Sequence, residues 1–204
     1  MDIGAGSGKF TSVLVEKFPK SHIYAVEPVS NFIDILNTKF GSNKNVSIIQ
    51  DEVSHLLSNS AFKRNSLDGI FGAQCFHWFA TRSSLEVFHA LLKPKGYLFL
   101  IWNRQTYDAN NFLKELKSQI IPIYDDEEKL KSIKYTKLRP HILDLFAPND
   151  LFSRVTNFIT FKDAVVQRGK IDIVIDRVLS KSTFGVRSPQ ERNEITKNDS
   201  RFGH

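Results

Sequence analysis

Between residues 10 and 103 the chain alternates between two periodicities, and this alternation limits what it can fold into. Phe10, Val13, Leu14 and Phe18 recur at helical spacing, and "SHIYAVEP" at 21–28 is a short β-rich apolar run. Phe32, Ile35, Leu36 and Phe40 return to helical spacing within 29–40, which stops at Gly41. "NVSIIQ" at 45–50 and "LDGIFGAQ" at 67–74 read as two more strands. Residues 82–92 form a helix with Leu85, Phe88, Leu91 and Leu92 on one face. "KPKGYLFLIWN" at 93–103 turns at Pro94–Gly96 into a strongly apolar strand, the fifth when one at the opening of the chain is counted first. Apolar side chains three and four apart mark one face of a helix, whereas short apolar runs mark buried strands. Strands alternating with helices predict a mostly parallel sheet of the α/β class, with helices packed on it. At 204 residues, 41% of them hydrophobic and 17 of them phenylalanine, one domain can bury an ample core. No internal repeat or low-complexity tract interrupts it.

In such a sheet the carboxyl ends of the strands share one edge, and ligands bind there. The first candidate for that edge is "MDIGAGSGKFT", because glycines allow backbone N–H groups to approach a ligand closely. A Walker A loop would need glycine where Ile3 stands and Ser or Thr where Phe10 stands. A dinucleotide fingerprint GxGxxG fits Gly4 and Gly6 but puts Lys9 in the third glycine place. What remains is an acid followed by alternating glycines, Asp2-x-Gly4-x-Gly6-x-Gly8.

That run resembles motif I of the class I S-adenosylmethionine-dependent methyltransferases. The resemblance implies a Rossmann-like three-layer sandwich. It also implies that Gly4 and Gly6 let the backbone pass under the methionine part of S-adenosylmethionine, with Asp2 helping to hold the loop and the cofactor's amino group. Glu27 ends the second strand 19 residues beyond Gly8. An acid there is ordinarily a solvated cap, but at this spacing from this loop it is expected to accept the ribose hydroxyls. After the third strand, Asp51 and Glu52 are both candidates for the adenine amino group. The family alignment can be drawn either way by one residue, with Glu52–Val53 slightly preferred, and an acidic helix N-terminus explains one of the pair equally well.

"GAQCFHWF" at 72–79 resembles the "AQ-x-FHWF" run of a small-molecule subgroup similar to trans-aconitate methyltransferase. By that resemblance Ala73 and Gln74 lie beside the cofactor, while His77 and Trp78 line the substrate pocket. Phe76 and Phe79 are expected in the core. His77 is the candidate catalytic residue, although a satisfied buried histidine explains it nearly as well. Cys75 and His77 lack the partners of a zinc site, so no metal is expected. "LIWN" at 100–103, a helical segment at 110–121 and the run at 176–192, with Arg177, Ser180 and Ser182, resemble the same subgroup. Residues 1–103 are therefore expected to form the cofactor-binding core and 104–204 a helical lid and substrate region of the same domain.

The net charge of +6 raises the question of nucleic acid, but bases and acids are mixed, as in "DDEE" at 125–128 within a lysine-rich stretch. No basic patch with interleaved aromatics appears, so no nucleic-acid partner is expected. A single cysteine suits a reducing compartment. No apolar run is long enough to span a bilayer, and no signal sequence opens the chain, so the expectation is cytoplasmic with no membrane partner. Oligomeric state is not legible. In the family several apolar residues and a helix precede the acid of motif I, and a last strand follows the final helix. Here Met1 alone precedes Asp2, and the chain finishes in "KNDSRFGH", so it is expected to be a fragment, incomplete at both ends. Methyl transfer to a small-molecule acceptor, a carboxylic acid among the candidates, is the favoured function. An NAD(P)-binding oxidoreductase and a non-catalytic remnant acting as a binding module are the alternatives.

Overall fold

The structure, a computed structural model, describes residues 1–103, 144–146 and 151–152, all within one compact unit. The expected helix at 110–121 and the run at 176–192 lie outside the described residues, as does all of the expected lid except 144–146 and 151–152.

Five strands and three helices follow one another, all but β1 as the periodicity predicts and with no α-helix between the third and fourth strands: β1 (Asp2–Ile3), α1 (Lys9–Lys17), β2 (Ile23–Val26), α2 (Ser30–Phe40), β3 (Val46–Ile49), β4 (Leu67–Ala73), α3 (Arg82–Leu91) and β5 (Leu92–Ile101). The sheet order is β3-β2-β1-β4-β5, and every pairing is parallel. The chain winds outward from β1 to β3, then returns to the other side of β1 with β4. Strand order therefore reverses between β1 and β4, which creates a crevice at their carboxyl ends.

Alternate residues of β2 go to opposite layers, as the strand's period of two requires. Ala25 packs with Leu36 and Phe40 of α2, while Val26 joins the larger cluster that holds Ile70, Phe76, Leu85, Phe88 and Leu91. Helices thus cover both faces, and the three-layer α/β sandwich expected from the sequence is present. α3 is capped by the Thr81 side chain, which accepts from the Ser84 N–H at 3.2 Å. Its Leu85, Phe88 and Leu91 are all buried. Among the described residues, no helix is long and apolar enough to cross a membrane.

Three details depart from expectation. On α1 only Leu14 of the predicted apolar face is buried, together with Thr11, while Val13 and Phe18 are exposed. On α2, Ile33 takes the packed position expected for Ile35, because Ile33, Leu36 and Phe40 share the face toward β2 and β3. β5 begins at Leu92, before the predicted turn. The turn is a bulge inside the strand, where pairing jumps from Leu67↔Leu92 to Gly69↔Tyr97 and Lys95 takes a φ of 68°.

The two faces of the β4–β5 pair differ. Leu98 and Leu100 pack into the α3 cluster. On the other face Phe71 stacks on Phe99 at 4.7 Å, and Phe10, Phe18 and Tyr97 lie around that pair at 5.7–6.2 Å. There Tyr97 is 64% exposed and Phe99 43%.

Candidate active site

The carboxyl edge of the sheet brings together the candidates from Gly4 to Trp78, while Arg177, Ser180 and Ser182 lie outside the described residues. Gly4–Gly8 leave β1, Glu27 follows β2, Asp51–Val53 follow β3, and Gln74–Trp78 follow β4.

All three glycines of the first loop take left-handed φ values, 65° at Gly4, 53° at Gly6 and 75° at Gly8. They are not equivalent. A Cβ at Gly4 would lie 2.6 Å from the Cβ of Cys75, and one at Gly8 would lie 2.7–2.8 Å from Phe40 and Leu36. A Cβ at Gly6 would meet nothing within 4 Å. Gly4 and Gly8 are therefore small so that the loop can pack, whereas Gly6 keeps open the space above it.

The loop is held by polar groups below it. The Gly6 N–H donates to Glu27 Oε2 at 2.8 Å, and the Val29 N–H donates to Oε1 at 3.1 Å. Glu27 is only 5% exposed, so these charge-assisted bonds fix its carboxylate while each oxygen keeps a lone pair. Asp2, 1% exposed, accepts the Thr11 hydroxyl at 2.6 Å. Burial pushes the Asp2 carboxyl up to about 6, against the pull of the Thr11 hydroxyl. Lys39, in the last turn of α2, donates to the Ser7 carbonyl at 2.6 Å.

At the third position the two acids separate. Asp51 accepts the Glu52 N–H at 2.8 Å and the Asn59 amide at 2.7 Å, with the His55 ring 3.5 Å away, so it ties the 51–59 segment together. Glu52 is exposed, and its carboxylate has no partner among the described residues. Val53 is buried beneath it.

The fourth position forms a wall. Ala73 ends β4, and Gln74 follows with a φ of 61°. Cys75 is buried and its thiol donates to the Ile3 carbonyl at 2.9 Å, joining the exit of β4 to that of β1. Phe76 is fully buried, and Phe79 packs against the core beside it. His77 is half-buried, and desolvation holds its imidazole below the usual histidine range. Its ring lies 5.0 Å from that of Trp78, which is 56% exposed. Trp102, after β5, has its indole N–H buried without a hydrogen-bond partner among the described residues.

Two contributors escaped the sequence reading. Thr11 lies three residues into a helix whose apolar face was assigned elsewhere; its one signal is a hydroxyl residue in line with Leu14. The sequence suggests only a metal-ligand role for Cys75, whose partner, Ile3, is 72 residues away. Among the described residues, no three His, Cys, Asp or Glu side chains gather to hold a metal ion.

Comparison with known proteins adds to this geometry. Residues 1–100 match the family model described as a methyltransferase domain. An uncharacterised methyltransferase-like protein of Schizosaccharomyces pombe is 33% identical over 141 residues, 69% of this chain and 51% of its own length. A malonyl-[acyl-carrier protein] O-methyltransferase 2 of Ilyobacter polytropus is 28% identical over 143 residues, 66% of this chain and 53% of its own. The chain thus spans about half the length of these curated relatives. Among solved structures, a Haemonchus contortus phosphoethanolamine N-methyltransferase 2 aligns at a TM-score of 0.47 and 17% identity, covering 71% of this chain and 32% of the other.

Proposed function

The chain belongs to the class I S-adenosylmethionine-dependent methyltransferases, and from that premise we propose that it binds S-adenosylmethionine along the carboxyl edge of the sheet and methylates a small-molecule acceptor, a carboxylic acid or a carboxylate carried on a thioester. The observation that carries this reading is the open space at Gly6, whose N–H is pinned by the buried Glu27 carboxylate. An extended ligand can lie against bare backbone there, and Glu27 has one lone pair left on each oxygen for a pair of neighbouring hydroxyls. Glu52, exposed and unpartnered, is the acid assigned to the adenine amino group, with buried Val53 under the ring; Asp51 keeps its structural bonds. Gly4 shapes the passage, and Asp2 holds it through Thr11. Ala73 borders it on the β4 side.

The cofactor supplies an electrophilic methyl on a sulfonium, so no proton has to reach it. The protein's contribution is to align acceptor and methyl about 3–3.5 Å apart with water excluded. A carboxylate acceptor arrives already ionised and needs no general base. His77, whose desolvation holds its imidazole below the usual histidine range, serves first to orient the acceptor by a hydrogen bond and becomes a base only for an acceptor that must lose a proton. Trp78 offers the acceptor an exposed aromatic face. The malonyl carrier-protein activity in the relative's name favours a carboxylate acceptor. The single cysteine fits a cytoplasmic location.

Calorimetry with S-adenosylhomocysteine and with NAD tests the cofactor. Binding of the first alone is expected, and binding of NAD alone would replace this reading with that of an oxidoreductase. A radiolabelled-methyl screen over a malonyl thioester, free small acids, amines and phenols then identifies the acceptor. Cofactor binding without turnover on any of them would favour a non-catalytic binding module.

A further inference from the structure

We propose that Gln74 is a positioning residue: its left-handed backbone sets the wall that carries His77 and Trp78, and its side chain does not contact the cofactor. The inference rests on the methyltransferase reading and deepens it. Among the described residues, three non-glycine residues have positive φ: Asn65, Gln74 and Lys95. Asparagine tolerates that region, and Lys95 lies in an exposed bulge. Gln74 alone of the three stands at the ligand edge of the sheet. Such conformations persist only where the surroundings over-determine them, and they cluster at ligand sites.

The surroundings of Gln74 do over-determine it. Its N–H donates to the Ile101 carbonyl at 2.8 Å, and its side-chain amide donates to the Asn103 carbonyl at 3.3 Å, so both bonds fasten it to the end of β5. The next residue is fastened on the opposite side, where the Cys75 thiol bonds the Ile3 carbonyl and its Cβ fills the space left by Gly4. The chain therefore crosses from β5 to β1 in two residues, over the point where strand order reverses. An extended φ at residue 74 would continue the strand, and Cys75 would not fall beneath Gly4. The one-turn helix Phe76–Trp78, closed by the Trp78 N–H to the Cys75 carbonyl at 2.9 Å, takes its origin from that crossing. One N–H of the Gln74 amide is held on the Asn103 carbonyl, which draws the side chain toward β5, and the demand at this position is conformational.

A conformational demand ranks substitutions differently from a ligand contact. Glycine and asparagine accept a left-handed φ, whereas alanine resists it and a β-branched residue resists it most. The chain has two tryptophans, Trp78 and Trp102, so Trp102→Phe leaves Trp78 as the sole indole reporter on the wall. In that background the variants Gln74→Gly, Gln74→Asn, Gln74→Ala and Gln74→Val are compared. The readouts are Trp78 emission and acrylamide quenching, S-adenosylhomocysteine affinity by calorimetry, and the melting temperature. Glycine and asparagine are expected to keep the Trp78 spectrum and an affinity within about threefold, a difference well under the 1.4 kcal/mol of a tenfold change. Valine is expected to shift emission and quenching. If valine does not fold, alanine set against glycine decides: a shifted Trp78 in alanine alone supports the proposal. A Trp78 spectrum identical in all folded variants overturns it. So does a glycine variant that loses affinity as far as Glu27→Ala does, because the Gln74 side chain would then be a cofactor ligand. A parent protein that binds no S-adenosylhomocysteine sinks the methyltransferase reading, while the Trp78 comparison still decides the positioning role.

Discussion

Around β1 and β2 the candidate site is built from main chain, and at the exits of β4 and β5 it is built from side chains. On the first side, three left-handed glycines and two buried carboxylates hold a loop whose one open position bears no side chain. On the second side, a buried thiol, a half-buried imidazole and two indoles make a wall over the apolar α3 cluster, and the opposite face of the same strands presents Phe99 and Tyr97. Backbone can recognise what is common to every reaction of a family, since its geometry does not change with side-chain identity. A side-chain wall can change from one acceptor to another without disturbing the loop. At the ligand edge the two halves meet where Cys75 packs against Gly4 and donates to the Ile3 carbonyl.

That division can be broken or sharpened by substitution. The largest loss belongs to the wall's foundation: Phe76→Ala, at a fully buried ring packed on Phe79 and Phe88, is expected to cost about 3–5 kcal/mol in chemical denaturation. Gly4→Ala comes next. It combines a left-handed φ, about 1–2 kcal/mol, with a clash against Cys75 in the range of about 1–3 kcal/mol for overpacking. Gly6→Ala carries only the first of these, so it is expected to remain folded and lose cofactor affinity. Equal destabilisation by the two would remove the distinction between packed and open glycines.

Asp2→Asn is expected to give a pH-dependent gain. The folded carboxyl titrates at about 6, above its ordinary 3.8. The native state therefore holds a proton that the unfolded chain releases, and this contribution is full below pH ~4 and lost as pH rises through ~6. Asparagine does not titrate and still accepts the Thr11 hydroxyl. The variant should gain on the parent across that window, by up to about 3 kcal/mol at pH 8, with the His77 contribution cancelling in the comparison. A gap that does not change between pH 4 and pH 8 would show that the Asp2 carboxyl does not titrate as its burial requires.

Glu27→Ala is expected to weaken S-adenosylhomocysteine binding by about 1.5–3 kcal/mol, and calorimetry measures it directly. The smallest effect belongs to the bare face. Tyr97→Ser, at a 64% exposed ring, should change stability by no more than about 0.5 kcal/mol. A loss comparable to that of Phe76→Ala would mean that this face is covered in solution.

The same division decided what could be read in advance. β2, β4, α2 and α3 were legible because burial imposes period on local stretches, and the glycine loop was legible because its residue types are demanded by backbone geometry. The buried face of α1 was misassigned because Thr11, satisfied by Asp2, occupies a position that apolarity alone would leave to solvent. Asp51 and Glu52 could not be separated in the sequence, since the difference lies in the Asn59 amide that reaches Asp51 from eight residues away. The crossing at Gln74 was illegible for a stronger reason: its partners at Ile101, Asn103 and, through Cys75, Ile3 become neighbours only when the sheet forms.

The contact between the halves also provides a clock. Cys75 is the chain's one thiol, it is buried, and burial pushes its ionisation far above the ordinary thiol range. Since the thiolate is the reactive form, alkylation in the closed state is negligible. Each labelling event therefore records an excursion in which the β4 exit lifts from the glycine loop. With reagent in excess, the modification rate reports how often the crevice opens, and its slowing by an added ligand reports how long that ligand keeps it shut.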